Sequence, residues 1–212
     1  MGRLLILGAS GCGREVLLWA KEINNKSNRW SEIAFVDYDS DALIGKKVDE
    51  KIICNDDDLE IRSGDEFICA IGDGNLRKKI IEKIKARGGV FTNIIHPTAI
   101  VGESAVLGEG IIIYPYSIVT ADVVIGDGCI INMGCSVAHD VQMGKYCTLS
   151  PNCDLAGGCK LGENVFLGVG SHVIPSVKLD DCAYVCAGST VMTRVKKDQK
   201  VIGCPAKVIR NW

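Results

Sequence analysis

The sequence predicts an α/β domain over residues 1–94, followed by a parallel β-helix of hexapeptide repeats over residues 95–212 that ends in a C-terminal tail. Three observations predict it. An aliphatic residue returns at every sixth position from Val101 to Val191 without a break, and a mostly small residue stands two places before each. The stretch ahead of residue 95 alternates short apolar strands with helical segments instead. An apolar period of about six fits neither a helix (about 3.6) nor an ordinary strand (about 2), and it marks a solenoid whose flat faces stack.

The first domain reads in order as a strand over 4–7, a helix from about Arg14 to Ile23, strands over 33–36, 52–54 and 67–71, a helix from about Asn75 to Arg87, and a strand over 90–94. Strands alternating with helices argue for βαβ units on a parallel sheet, a Rossmann-like nucleotide-binding arrangement too short for a full dinucleotide fold. The loop Gly8-Ala9-Ser10-Gly11-Cys12-Gly13 joins the first strand to the first helix. Backbone N–H groups and the helix dipole can hold a phosphate there. Its G-x-x-G-x-G spacing departs from the dinucleotide fingerprint, although Asp37 after the second strand imitates the ribose-binding acid. Three readings stay open for the loop: a nucleotide-sugar diphosphate, NAD, or helix packing alone.

In the repeat region three hexads make one coil of 18 residues, giving between five and six coils whose equivalent corners stack. Cys129, Cys135, Cys147, Cys153 and Cys159 fall at the small inward position and read as buried apolar residues. The glycines that follow the aliphatic positions, such as Gly108 and Gly126, read as corner-turning residues. One corner column, Glu109, Asp127, Lys145, Glu163 and Asp181, faces water, as does the adjoining face with Gln142, Lys160 and Lys178. A second column, Pro115, Met133, Pro151, Val169 and Ala187, adjoins a face with outward Ile112, Ile130, Phe166 and Tyr184. Such an apolar exterior calls for a partner, most simply a ring of identical subunits. Ile100, Val106, Ile118 and Val124 also point outward on the first two coils.

The third column reads Glu103, Ala121, His139, Gly157, Pro175, Thr193. It stands the His139-Asp140 pair over the bare backbone of Gly157-Gly158, where a narrow chain such as pantetheine could lie. An imidazole with an ordinary pKa of about 6.5 can act as a general base at neutral pH, and Asp140 could orient it. The alternative is a surface histidine at a turn with no role. His96 and His172 read as structural, and no metal set is apparent.

Composition narrows the function classes. The chain has 212 residues, 47% apolar and 24% charged, with 24 Lys+Arg against 26 Asp+Glu, so no basic stripe points to nucleic acid. No apolar run of about 18 residues suggests a membrane span, and no signal peptide is read, so a cytoplasmic protein is expected. Eleven cysteines, an odd number without a C-x-x-C pair, argue against a disulfide framework or a metal site.

Together, Leu4 to Glu15, Phe35 to Asp39, Ile71 to Lys79, Ile95-His96-Pro97, Ser136 to Asp140 and Gly203 to Lys207 resemble the bacterial hexapeptide-repeat sugar acyltransferases. Within that group they resemble nucleotide-amino-sugar N-acetyltransferases and sialic-acid-type sugar O-acetyltransferases. The resemblance implies a left-handed β-helix, a homotrimer, acetyl-CoA bound between adjacent β-helices, and His139 as base with Asp140 raising its basicity. It implies coenzyme contacts at Thr148, Gly157, Val169 and Ala187. Thr148 stands where a second histidine occurs in the family, Val169 where isoleucine occurs, and Ala187 where glycine occurs. The nucleotide sugar is implied against Ser10, Gly11, Cys12, Asp37, Tyr38, Gly72 and Asp73, with Cys12 in place of a frequent histidine. The expected activity is therefore acetyl transfer from acetyl-CoA to the amine of a nucleotide-linked, UDP-type amino sugar in surface-glycan or glycoprotein sugar biosynthesis. The alternatives are O-acetylation of a sugar hydroxyl and a non-catalytic nucleotide-sugar-binding scaffold.

Overall fold

A computed structural model describes residues 1–209. The chain divides into two compact units, one over residues 1–94 and the other from Ile95 onward. In the first, β1 (Arg3–Leu7), β2 (Glu32–Val36), β3 (Ile52–Cys54), β4 (Glu66–Cys69) and β5 (Val90–Phe91) form one parallel sheet in the order β3-β2-β1-β4-β5. Leu4, Leu5, Ile6, Phe67 and Ile68 are fully buried, as a parallel sheet covered on both faces requires. Helix α1 (Gly11–Ser27) follows β1, and α2 (Gly74–Ala86) follows β4. The first helix begins at Gly11, three residues before the predicted start. Ser10 takes the extended N-cap conformation and the Arg14 N–H already bonds its carbonyl at 3.0 Å, so the glycine-rich stretch supplies the first helical turn.

The second unit is a left-handed parallel β-helix with three faces. The first face runs from Ile100–Val101 through Ser136–Val137 to Thr190–Val191. The second runs from Val106–Leu107 to Lys178–Leu179, and the third includes Ile112–Ile113, Thr148–Leu149 and Tyr184–Val185. Each rung pairs in register with the residue 18 positions later, as Val119 with Val137. The aliphatic column is buried from Ile113 to Val191, and only Val101 and Leu107 at the open end are half-buried. The inward cysteines also donate: Cys129, Cys135 and Cys147 each place Sγ 3.1 Å from a backbone carbonyl 15 residues on, as Ser117 does through its hydroxyl at 2.7 Å. This position therefore takes small residues and welcomes a weak donor.

Two expectations need correction. The corner glycines are not there to reach left-handed backbone. The positive φ angles fall on a different position, every sixth residue from Gly110 to Gly188, including Tyr116, Asn152 and Asn164. Gly126 and Gly144 are needed because the next coil passes too close: a Cβ would lie 2.8 Å and 2.6 Å from its backbone. Second, Ile112 and Ile130 are 0% and 2% exposed within the single chain, so they are not part of an uncovered apolar face. Phe166 and Tyr184 stack at 4.6 Å with Lys200 over the tyrosine ring, while Met133 and Val169 remain exposed at the corner beside them. Ile100, Val106, Ile118 and Val124 point outward as expected and are exposed within the single chain. Among the described residues no helix is long and apolar enough to cross a membrane.

Candidate active site

His139 lies at the corner between the first and second faces, directly after Ser136–Val137. Its Nδ1 is 2.7 Å from Asp140 Oδ2, and both side chains are exposed. An ionised carboxylate only accepts, so Nδ1 donates in this contact, and in the neutral ring Nε2 then keeps its lone pair. Asp140 reaches back because it adopts a left-handed conformation, φ 62°, which aspartate tolerates better than most residues. The next coil holds the pair from below, with the Gly158 N–H donating to the His139 carbonyl at 2.9 Å. The ring itself rests on Gly157, where a Cβ would lie 2.6 Å from both Cε1 and Nε2. The imidazole is thus seated on the bare backbone of Gly157.

That seating leaves no room for a side chain at 157. A leucine at 157 would not fill a groove beside an intact imidazole, because even the first carbon displaces the ring. The other residues implied for the coenzyme do not join this corner in the same chain. Thr148 is 8% exposed on the third face, between Ile130 and Phe166, and a triangular prism places that face opposite the His139 corner. Val169 and Ala187 are exposed at the corner between the third and first faces. His172 bonds Asp154 at 2.8 Å and Ser136 donates to the same carboxylate at 2.5 Å, while His96 is buried with Nδ1 accepting from the Thr98 N–H at 3.1 Å.

In the first unit a cavity of about 460 Å³ opens at the carboxyl ends of β1, β2 and β4. The strand order reverses between β1 and β4, the place where open α/β sheets hold ligands. Leu7, Gly8, Ser10, Asp37, Tyr38 and Asp56 are in its wall, with apolar Ile71, Leu76 and Ile80 opposite. Gly11, Cys12, Gly72 and Asp73 are not among the residues that line it, although each adjoins in sequence a stretch that does. Asp37 is anchored: one oxygen accepts from the Ala9 N–H at 2.6 Å and the other from the Asp39 N–H at 3.0 Å. Asp73 caps α2 by accepting from the Leu76 N–H at 2.8 Å, and the buried Arg77 donates to the carbonyls of Ile71 and Gly72 at 2.6 and 3.1 Å. Packing explains Gly8, with φ 101°, and Gly13, whose Cβ would sit 1.9 Å from the Gly8 carbonyl. It does not explain Gly11 or Gly72, since a Cβ on either would meet nothing within 4 Å.

Sequence reasoning missed the ionic cluster that Tyr38 and Asp56 of this cavity join. Tyr38 bonds Asp57, and Lys83 pairs with Asp56 at 2.7 Å and also with Asp57. The two carboxylates push the Tyr38 phenol up to about 12, and Lys83 with Tyr38 holds Asp57 below the usual carboxylate range. The run Asn55-Asp56-Asp57-Asp58 was the available signal, but its pairing with a lysine on α2 depends on tertiary structure. Among the described residues no three metal-capable side chains come together.

The PglD N-terminal domain family matches residues 3–84, and the bacterial transferase hexapeptide family matches residues 122–153. A structure of PerB from Caulobacter crescentus in complex with CoA and GDP-perosamine is 33% identical, covering 99% of this chain and 98% of that one with a TM-score of 0.87. The chain belongs to the hexapeptide-repeat sugar acyltransferases. The acetyltransferase domain of PglB from Neisseria gonorrhoeae superposes with a TM-score of 0.92 at 25% identity, over 99% of this chain and 100% of that chain. UDP-N-acetylbacillosamine N-acetyltransferase of Bacillus subtilis is 41% identical over 46 residues, a stretch that spans 22% of this acyltransferase and only 21% of the relative.

Proposed function

We propose that this acyltransferase moves acetyl from acetyl-CoA to the amine of a nucleotide-linked amino sugar, with His139 as general base, in the building of surface-glycan or glycoprotein sugars. The observation that carries the reading is the Asp140-oriented imidazole seated on Gly157. It occurs in a chain that matches, nearly end to end, an enzyme whose structure holds CoA and GDP-perosamine. His139 Nε2 accepts the proton that the amine sheds as its nitrogen attacks the thioester carbonyl. The new C–N bond forms, the C–S bond breaks, and the imidazolium returns the proton to the departing thiolate. Asp140 fixes the tautomer and stabilises the charged ring. Transfer is direct, since among the described residues no serine or cysteine side chain hydrogen-bonds the His139 ring. Holding both substrates in one geometry supplies much of the rate.

The nucleotide sugar occupies the first-unit cavity, with its diphosphate at the start of α1 near Ser10, Gly11 and Cys12 and its base and ribose toward Asp37 and Tyr38. Support comes from Gly11 and Gly72, which leave open space where a side chain would stand. Gly72 and Asp73 act from the rim. Thr148, Val169 and Ala187 lie across the prism from His139, so they reach coenzyme held by His139 and Gly157 only from another copy, which supports a homotrimer with shared sites. Solved forms of the Caulobacter enzyme with one histidine replaced by asparagine or alanine still hold CoA and GDP-perosamine, the behaviour expected of a base rather than a binding group.

A panel of nucleotide-linked amino sugars and their hydroxyl counterparts, assayed with acetyl-CoA, tests the reading. Amide formation with at least one amino sugar is expected. Turnover of the hydroxyl sugars alone would replace the reading with O-acetylation.

A further inference from the structure

Two acids, Asp37 and Asp56, are in the wall of the first-unit cavity. Asp37 accepts a backbone N–H on each oxygen, and Asp56 is left half-satisfied. Asp56 is 5% exposed, its Oδ2 carries Lys83 at 2.7 Å, and its Oδ1 is buried without a hydrogen-bond partner among the described residues. An unpartnered buried acceptor is costly unless a ligand brings the missing donor. The neighbouring Asp57 gives one oxygen to Tyr38 and the other to Lys83, so it does not share this deficit. The backbone around Asp56 is held: Arg87 donates to the carbonyls of Asp56 and Leu59, and Asn55 Oδ1 accepts from the N–H groups of Asp57 and Asp58 at 2.9 Å. An aspartate carboxylate turns easily about its last torsion, so Oδ1 can swing to a donor entering the cavity while Oδ2 stays with Lys83.

The sheet sets the order of the polar groups along the cavity. The glycine loop with Ser10 follows β1, Asp37 follows β2 and Asp56 follows β3, and these strands are consecutive neighbours in the sheet. Neighbouring strands lie about 4.8 Å apart, so Asp56 stands roughly 10 Å from the glycine loop. With a diphosphate at the loop and a ribose at Asp37, the next group along is the base. The apolar side chains of Ile71, Leu76 and Ile80 in the same cavity suit its flat faces.

We infer that Asp56, together with Lys83, selects the nucleobase of the acceptor and that this base is guanine. The inference rests on the reading of the cavity as the nucleotide site. Lys83 Nζ, Asp56 Oδ2 and Asp56 Oδ1 follow one another as donor, acceptor, acceptor. The guanine edge of O6, N1–H and N2–H reads acceptor, donor, donor and matches it in order. Uracil reads acceptor, donor, acceptor, so its second carbonyl would face the bare Oδ1. Adenine and cytosine bring a ring acceptor against Oδ2. Guanine thus replaces the UDP-type acceptor expected from the sequence.

The test is calorimetric titration of the full chain with GDP, IDP, UDP, ADP and CDP, repeated on Asp56→Asn with xanthosine diphosphate added to the set. IDP is the analogue of GDP that lacks the N2 amino group. The wild type is expected to bind GDP about tenfold more tightly than IDP and about 10²-fold more tightly than UDP, ADP or CDP. In Asp56→Asn, with the amide carbonyl kept toward Lys83, an NH2 group stands in place of Oδ1 and the order becomes donor, acceptor, donor. The variant should therefore lose about tenfold for GDP and gain for xanthosine diphosphate, whose edge reads acceptor, donor, acceptor. A role in folding alone would not reverse that preference. Wild-type affinity for UDP equal to or above that for GDP overturns this inference and leaves the nucleotide cavity standing. An Asp56→Asn protein that keeps the GDP preference, or weakens every nucleotide alike, overturns it as well. If the variant fails to fold, the wild-type ranking of GDP, IDP and UDP still decides. A wild type that binds no nucleoside diphosphate overturns the reading of the cavity along with the inference.

Discussion

Gly157→Ala perturbs the proposed base without touching it. Gly157 has an ordinary backbone conformation, so alanine meets no φ/ψ penalty there. The added Cβ would lie 2.6 Å from Cε1 and Nε2 of His139 and 3.1 Å from Nδ1. Carbon contacts settle at about 3.5–4.0 Å, so the ring must move by roughly 1 Å. Because the His139 side chain is 69% exposed, it can swing toward solvent at little cost to folding. A misplacement of about 1 Å at a reacting group costs on the order of 10²-fold in rate. The variant is therefore expected to lose about 10²-fold in kcat with its melting temperature within a few degrees of wild type. Steady-state kinetics that follow thiol release, paired with a thermal melt, measure both. Wild-type kcat in a folded Gly157→Ala protein would refute the claim that this imidazole position matters.

Asp140→Asn should reduce kcat by roughly tenfold, less than loss of His139, because both side chains are exposed and the ring can still find the right tautomer. The five inward cysteines and Cys69 should resist a thiol reagent until denaturation, whereas Cys204 should react at once. Burial pushes Cys69 up to about 12, the hydrogen bond with Cys153 and then burial raise Cys135, and Cys204 is exposed. A fast-reacting buried cysteine, identified by peptide mapping, would contradict the packing. Light scattering should report a trimer, and Val169→Asp at the exposed corner should dissociate it; a wild-type monomer at micromolar concentration sinks the shared site. Asp65 is 5% exposed and pairs with Arg3 at 2.6 Å. Burial alone would raise its carboxyl, but the Arg3 guanidinium outweighs burial and holds it below the usual range. Its contribution is thus present above about pH 4 and is lost as pH falls through the lowered value. Asp65→Asn should cost about 3 kcal/mol in urea unfolding at neutral pH, with a smaller gap in acid, and a pH-independent gap would argue against the pairing.

The β-helix was legible because each hexad restates it: sixteen aliphatic positions in one register outweigh any local ambiguity. The left-handed corner position was less legible, since glycine and asparagine share it with Tyr116, Tyr146, Ser176 and Cys182. His139-Asp140 over Gly157 followed from the 18-residue stacking, but the contact between ring and backbone needed coordinates. Register says which residues adjoin and not how closely. The burial of Ile112 and Ile130 was hidden for a related reason, because alternation reports which way a side chain points and says nothing of what covers it. In the first unit the glycine loop and Asp37 announced themselves locally. The cavity's apolar wall of Ile71, Leu76 and Ile80 read as ordinary helix and strand residues, and its Asp56–Lys83 pair joins segments 27 residues apart.

The most direct test of the central claim is His139→Ala, measured with an acceptor verified on the wild type. Removing a general base should lower kcat by about 10²-fold or more, while calorimetric affinity for acetyl-CoA stays nearly unchanged. Wild-type kcat in that variant would mean that solvent or the acceptor itself takes the proton, and the mechanism built on His139 would be wrong.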